Sequence, residues 1–250
     1  SSVLVRVSLD GSEEEVYTDH PSMHHDFLLK SDGTLVFPVL DDREVDGIIV
    51  RGDTLLEVAP DGVETVVWSA WDVFDYVNNN NAFPEGWWTM INHLAWVEED
   101  NDYVFSLKNL NSLVRSDGET SETEWVLGGA SPTLVPDTNF SQQHGLDVLS
   151  DTELLMFDND GGAGFSRILR WVFDPDAGTA TTTWQHNGDV TSFIMGDVEE
   201  MDSGNMLIVW SSSSRVDEID PEGNILNQLT FNGMTNVGYL THVETIGVVP

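Results

Sequence analysis

The stretch HHDFLLKSDGTLVF, residues 24–37, decides the fold because its pattern returns along the chain. It reads as a short strand, a polar turn with Asp-Gly, and a second, more apolar strand. The same order recurs in NHLAWVEEDNDYVF (92–105), QHGLDVLSDTELLMF (143–157) and MGDVEEMDSGNMLIVW (195–210). A hairpin repeated in this way predicts the inner half of each blade of a β-propeller.

An outer unit of two strands around an Asp/Pro/Gly turn follows each hairpin, as in DTLLEVAPDGVETVVW (53–68). The chain begins with such an outer unit at residues 1–17, and residues 241–250 carry an inner strand alone. We therefore predict an all-β fold: a single β-propeller domain over residues 1–250, with five four-stranded blades, one of them closed by the N- and C-terminal strands. A sixth blade would require residues 69–91 to form strands of their own.

Acidic side chains dominate the composition: 44 acidic and nine basic residues give a formal net charge of −35, and cysteine is absent. Nucleic acid and anionic membranes are therefore poor partners, and thiol chemistry is excluded. No run of 18 apolar residues occurs, so no membrane span is predicted. Scattered acids favour adaptation to high salt over disorder, with an ordinary acidic extracellular protein as the alternative. We expect a secreted, periplasmic or cell-surface protein; the composition indicates no oligomeric state.

Histidines share one position of the repeat. Ten residues before the apolar second strand of each hairpin, counted from Leu35, Tyr103 and Leu154, stand His25, His93 and His144. Gly196 has this position in the fourth hairpin, and His242 has it in the incomplete last repeat. Innermost strands line a propeller axis, so four imidazoles are predicted to converge there. They would stay neutral, bind an anion, or share a transition metal such as Zn, Cu, Fe or Ni. The plainer interpretation is that each ring caps a local turn.

Other candidates lie on the connections near the same face. Residues 69–91 contain several aromatic side chains, which would form either a lid over a small aromatic or sulfated ligand or an ordinary packed connection. Lys108 follows an apolar strand and is a candidate anion contact. Asp158 and Asp160 have oxygen ligands suited to Ca²⁺, although a DND turn needs no ion.

These stretches resemble the arylsulfotransferase-like family, which includes the bacterial aryl-sulfate sulfotransferases. The resemblance covers residues 24–176, with WTMINHLAWVEEDNDYVFSLKNLN and FSQQHGLDVLSDTELLMFDND among its most specific parts. It implies sulfuryl transfer between phenolic compounds through a transiently sulfated histidine, with no cofactor required. His144 would be the nucleophile, His25 (or His24) the acid/base, and Asn92 and Lys108 would contact the sulfuryl oxygens.

Two departures from the family pattern affect this interpretation. Met90 stands where the family has a histidine, and methionine cannot donate a proton. Lys108 replaces an arginine, which keeps the charge and loses the bidentate fork. Two alternatives therefore stay open: a metal-binding propeller using His25, His93, His144 and His242, and a non-catalytic extracellular module with a structural or ligand-binding role.

Overall fold

Strands make up nearly all of the regular structure in the computed structural model, which describes residues 2–8, 10–76, 86–159 and 164–240. A two-stranded antiparallel sheet comes first, and Leu4 packs it against Leu35 and Phe37 of the next sheet. Its strands are β1 (Ser2–Val7) and β2 (Glu14–His20).

The repeated hairpin at residues 24–37 opens a four-stranded sheet in chain order. Gly33 makes its turn with a φ of +89°, and the Asp32 carboxylate accepts the Thr34 N–H at 2.8 Å. Glycine adopts this left-handed conformation without steric cost, which explains the Asp-Gly signal. The strands are β3 (Leu28–Leu29), β4 (Leu35–Val45), β5 (Ile48–Val58) and β6 (Glu64–Ser69).

The second four-stranded sheet also has its strands in chain order. In the described part of the connection before it there is a four-residue helix, α1 (Ala70–Val73), and no strand of a sheet. A 3-10 turn at Lys108–Leu110 follows the second strand. The strands are β7 (Ile91–Val97), β8 (Asp102–Leu107), β9 (Ser112–Asp117) and β10 (Thr123–Gly128).

The last two sheets complete the series. Their strands are β11 (Val135–Pro136), β12 (Leu146–Ser150), β13 (Glu153–Asp158), β14 (Arg167–Asp174) and β15 (Thr179–Asn187), then β16 (Asp197–Glu200), β17 (Met206–Trp210), β18 (Arg215–Ile219) and β19 (Ile225–Thr230). The short β11 adds a parallel edge to β15, and a second 3-10 turn at Ser211–Ser213 follows β17.

The apolar core lies between neighbouring sheets. One cluster joins the first and second four-stranded sheets, where the Trp68 and Phe105 rings lie 4.7 Å apart, and two more clusters join the later pairs. Each fully buried large side chain contributes about 1.5–3 kcal/mol. Because the apolar surfaces are used between sheets, the axis is left to polar residues.

The innermost strands β3, β7, β12 and β16 contact one another in this order around the axis. Glycine is required where β12 and β16 approach: a Cβ at Gly145 would collide with Asp197, and one at Gly196 would lie 2.5 Å from the Phe157 ring. The all-β propeller prediction is confirmed, and the four inner hairpins stand where the repeat placed them. The predicted closing strand at 241–250 lies outside the described residues.

Helices are few and short. Within the described ranges, none is both long and apolar enough to cross a membrane.

Candidate functional site

His144 lies just before β12, and 5 % of it is exposed. Its backbone N–H donates to the Phe157 carbonyl at 3.0 Å. The ring Nδ1 lies 2.7 Å from Asn159 Oδ1 and 3.0 Å from the Gln142 carbonyl oxygen. Both partners are acceptors, so Nδ1 carries the proton. In the neutral ring Nε2 then holds the lone pair, and it has no hydrogen-bond partner among the described residues.

Asn159 fixes this orientation from the end of β13. Its Nδ2 donates to the carbonyls of Ser192 at 2.7 Å and Met195 at 2.6 Å, so Oδ1 must face the imidazole. Burial lowers the pKa of His144 to about 4, although its hydrogen bonds to Asn159 and Gln142 act in the other direction. The ring is therefore neutral at pH 7, the form in which imidazole is a nucleophile.

The segment 142–144 is held in an unusual conformation. Gln142 has a φ of +58°, and its N–H donates to Asn111 Oδ1 at 3.0 Å. Asn92 Nδ2 donates to the Gln143 carbonyl at 2.8 Å. A non-glycine residue in the left-handed region costs about 1–3 kcal/mol and persists only where its surroundings hold it. Asn92 thus braces the backbone beside His144.

His24 and His25 face this region from the connection before β3. Their Nδ1 atoms lie 2.9 Å apart, and His24 Nε2 lies 3.1 Å from Asp53 Oδ1. Trp87 packs edge-on against both rings, with centroids at 5.2 and 5.6 Å. His25 is accessible to solvent on one side, yet packing removes enough water around its ring to lower its pKa, with help from His24, to about 4.

Asp53 was not singled out from the sequence. It is fully buried at the centre of β5, where its carboxylate accepts Trp87 Nε1–H at 3.2 Å, the Thr89 hydroxyl at 2.5 Å and the Ile91 N–H at 2.8 Å. A charged residue directly before the apolar run TLLEV was the available signal. Buried carboxylates with this many donors occupy one fixed position.

Lys108 completes the group. It follows β8, is half-buried, and its backbone N–H donates to the Met90 carbonyl at 3.0 Å. Burial lowers the pKa of its ammonium group, and its charge in turn contributes to the lowered pKa values of His25 and His144. The structure therefore brings His25, Lys108 and His144, from three different sheets, within electrostatic reach of one another.

His93 lies apart from them. Its Nε2 is 3.1 Å from the Leu146 carbonyl oxygen, so this nitrogen donates, and its Nδ1 is 3.5 Å from Asp26 Oδ2. The paired residues Trp96 and Tyr103 are seven positions apart, whereas the equivalent pair Val148–Leu154 is six apart, so a count of ten residues reaches the ladder one position off at His93. The described residues do not form the expected four-histidine ring, and His242 lies outside them.

The metal and calcium expectations gain no support. Within the described ranges no three His, Asp or Glu side chains are arranged to hold a metal ion. Asp158 accepts Arg167 Nε–H at 2.9 Å and the Ser141 N–H at 3.1 Å, so its carboxylate is already neutralised and bonded. Asp160 lies outside the described residues.

The aromatic residues of 69–91 divide into two groups. Trp87 contacts the two histidines, as described above. Trp71, Tyr76 and Trp88 instead pack on one another, with Trp71 and Trp88 centroids 4.8 Å apart, against the core between the first two four-stranded sheets. The described part of this connection therefore contributes one aromatic wall to the site and otherwise packs.

Several solved structures share the fold. A catalytically inactive virginiamycin B lyase from Staphylococcus aureus with quinupristin matches 93% of this chain and 64% of its own, with a TM-score of 0.53 and 14% identity. A nidogen/laminin complex matches with a TM-score of 0.54 and 8% identity, over 88% of this chain and 70% of that one. A putative 6-phosphogluconolactonase from Bacteroides fragilis matches with a TM-score of 0.50 and 10% identity, over 92% and 77%.

At these identities the matches show the fold alone. The chain spans less than two thirds of the lyases it matches, 58% of one and 64% of another. No curated protein matches the chain. The family model described as arylsulfotransferase (ASST) matches residues 2–232. This chain, a β-propeller in which His25, Lys108 and His144 interact electrostatically, therefore belongs to the arylsulfotransferase (ASST) family.

Proposed function

We propose that this protein transfers a sulfuryl group between phenolic compounds through a transiently sulfated His144. One observation carries the proposal: the proton on His144 Nδ1 is held by Asn159 Oδ1 at 2.7 Å, which leaves a neutral ring with its lone pair on Nε2. An imidazole in this state can attack sulfur without first losing a proton. Membership of the arylsulfotransferase family supports the same chemistry.

In the first half-reaction, Nε2 of His144 attacks the sulfur of an aryl sulfate. The N–S bond forms, the bond from sulfur to the aryl oxygen breaks, and the phenolate leaves with the electron pair. The Lys108 ammonium group balances the charge on the sulfuryl oxygens. Because a water-poor site strengthens such interactions, the half-buried position of Lys108 favours this role.

In the second half-reaction, a phenolic acceptor attacks the sulfur of sulfo-His144. His25 accepts the phenolic proton as the new S–O bond forms. The S–N bond breaks and its electron pair returns to Nε2. Trp87, edge-on to both histidines, provides an aromatic surface for the acceptor ring.

The test is incubation with p-nitrophenyl sulfate and phenol. We expect release of p-nitrophenolate, formation of phenyl sulfate, and a sulfuryl group on the peptide that contains His144 when the acceptor is omitted. His144→Ala should abolish all three. The matched control is His186→Gln, because His186 lies on the outer strand β15 and stacks on Trp184. Unchanged transfer by His144→Ala would contradict the proposal, as would modification at another residue.

A further inference from the structure

We propose that Asp53 and His24 form a proton relay with His25 and so set which nitrogen of His25 receives the proton of the phenolic acceptor. This inference deepens the proposed function and depends on it, because it concerns the second half of the same transfer. Asp53 and His24 act as positioning residues in it, and His25 is the group that meets the substrate.

The order of atoms defines the relay. Asp53 Oδ1 lies 3.1 Å from His24 Nε2, and His24 Nδ1 lies 2.9 Å from His25 Nδ1. His24 Nε2 makes no well-aligned hydrogen bond among the described residues, but the negative charge of Asp53 beside it favours a proton on this nitrogen, so a neutral His24 has an unprotonated Nδ1. The second short contact then requires His25 to donate from its own Nδ1. His25 Nε2 is left with the lone pair.

The carboxylate end of the relay is immobile. Three donors hold Asp53: the Trp87 indole, the Thr89 hydroxyl and the Ile91 backbone N–H. Arg51, on the same strand, also interacts electrostatically with Asp53, although its hydrogen bonds go to Asp42. A fixed carboxylate beside Nε2 favours one tautomer of the adjacent imidazole.

The other end of the relay is constrained by the backbone. His25 has a φ of +58°, and the Asp26 N–H donates to the His24 carbonyl across it at 2.8 Å. A tight turn through a non-glycine residue is unfavourable unless the surroundings impose it. Here it sets the two rings at an interplanar angle of 88° with their Nδ1 atoms in contact. The turn thus builds the contact on which proton transfer depends.

Charge explains why a relay is useful at this place. Lys108 faces both His25 and His144, so a positive charge that stayed on His25 would be repelled. When His25 Nε2 takes the phenolic proton, its Nδ1 proton moves to His24 Nδ1. His24 becomes an imidazolium ion beside the Asp53 carboxylate, while His25 is neutral again. Before the next turnover the proton returns through His25, which is exposed, to solvent, where it balances the phenolate released in the first half-reaction.

The relay predicts that the two half-reactions respond differently to the loss of His24. The p-nitrophenolate group leaves without needing a proton, so His24→Gln should retain the burst of p-nitrophenolate seen without acceptor. Turnover with weakly acidic phenols should fall about 10- to 100-fold through kcat, with the acceptor KM unchanged. The loss should shrink as the acceptor phenol becomes more acidic.

Asp53→Asn should likewise retain the burst and lose turnover with weakly acidic phenols. Thermal unfolding of Asp53→Asn and His24→Gln would show that both variants fold. His186→Gln again serves as the control. A loss that is equal for all acceptors, or a burst that disappears together with turnover, would overturn the relay. If the unmodified protein shows neither burst nor transfer, the proposed function itself is wrong. If the unmodified protein shows both, and the variants lose the same fraction of kcat with every acceptor, only the relay is wrong.

Discussion

Two polar clusters lie along the axis of this propeller. The transfer cluster consists of His24, His25, Lys108 and His144, and the His93 cluster consists of Asp26, His93, Asp197 and Tyr239, which line one pocket. Both contain residues of, or next to, the innermost strands, and both contain histidine. In the His93 cluster, His93 packs on the Tyr239 ring at 5.0 Å, and the Tyr239 hydroxyl donates to the Asn92 carbonyl at 2.6 Å.

The charge beside the second ring nitrogen separates the two clusters. His93 Nε2 donates to the Leu146 carbonyl, whereas its Nδ1 makes no hydrogen bond among the described residues and lies 3.5 Å from the Asp26 carboxylate. In His144 only Nδ1 is engaged by described residues, and a cation lies nearby. Histidine on a propeller axis is therefore not enough for chemistry. A positive charge near the unengaged nitrogen distinguishes the transfer cluster: Lys108 interacts with His144, whereas Asp26 lies beside His93.

The largest expected difference between the two clusters comes from replacing one histidine in each. His144→Ala should reduce sulfuryl transfer at least ~1000-fold, because it removes the nucleophile. His93→Gln should leave kcat within about threefold but lower the free energy of unfolding by about 1–3 kcal/mol, since a buried hydrogen bond between sheets is lost. Transfer kinetics and urea denaturation measure the two effects. A larger loss of kcat in His93→Gln would contradict this division.

Asn159→Ala should have the next largest effect. Without the Oδ1 acceptor, the proton of His144 is no longer confined to Nδ1, and part of the population has it on Nε2. We expect kcat to fall about 10- to 100-fold with the KM of the aryl sulfate little changed. Asn227→Ala, on the outer strand β19, is the matched control. Equal losses of kcat in the two variants would contradict the role of Asn159 in holding the His144 proton on Nδ1.

The pH dependence of activity should reflect the transfer cluster. Burial lowers the pKa of His144 to about 4, and loss of water around the ring, followed by the effect of His24, lowers that of His25 to about 4. Transfer should therefore be nearly constant between about pH 5.5 and 7 and decline as pH falls through 4, because protonation removes the lone pairs. An acid limb near the ordinary histidine pKa of about 6.5 would contradict this. The measurement is kcat over KM against pH in one ionic strength.

The His93 cluster should have a smaller effect, on stability. Burial raises the pKa of Asp197 from 3.8 to about 8, so the folded protein holds a proton there that the unfolded chain releases. The free energy of unfolding should accordingly fall as pH rises from about 4 to 8. Asp197→Asn should make this part of the pH dependence flatter. Unfolding curves of both proteins at several pH values measure the difference, and parallel slopes would refute it.

The strand and turn pattern placed the inner hairpins correctly, and the family resemblance pointed to His25, Lys108 and His144, which interact electrostatically in the structure. The register of His93 could not be counted from the sequence, because the turn between its two strands is one residue longer than in the equivalent hairpins. Asp53 was missed because its hydrogen-bond donors come from the following connection and β7.

The amino-acid sequence by itself determined the repeat, the all-β class and the approximate positions of the axial residues, because alternation of apolar residues and turn chemistry are local properties. Only the tertiary structure decided which ring nitrogens are protonated and which charges meet. His144 depends on Asn159, whose amide is fixed by the carbonyls of the 192–195 connection, and His24 depends on Asp53 of β5. These partners are distant in the chain, so their distances exist only once the sheets have packed around the axis.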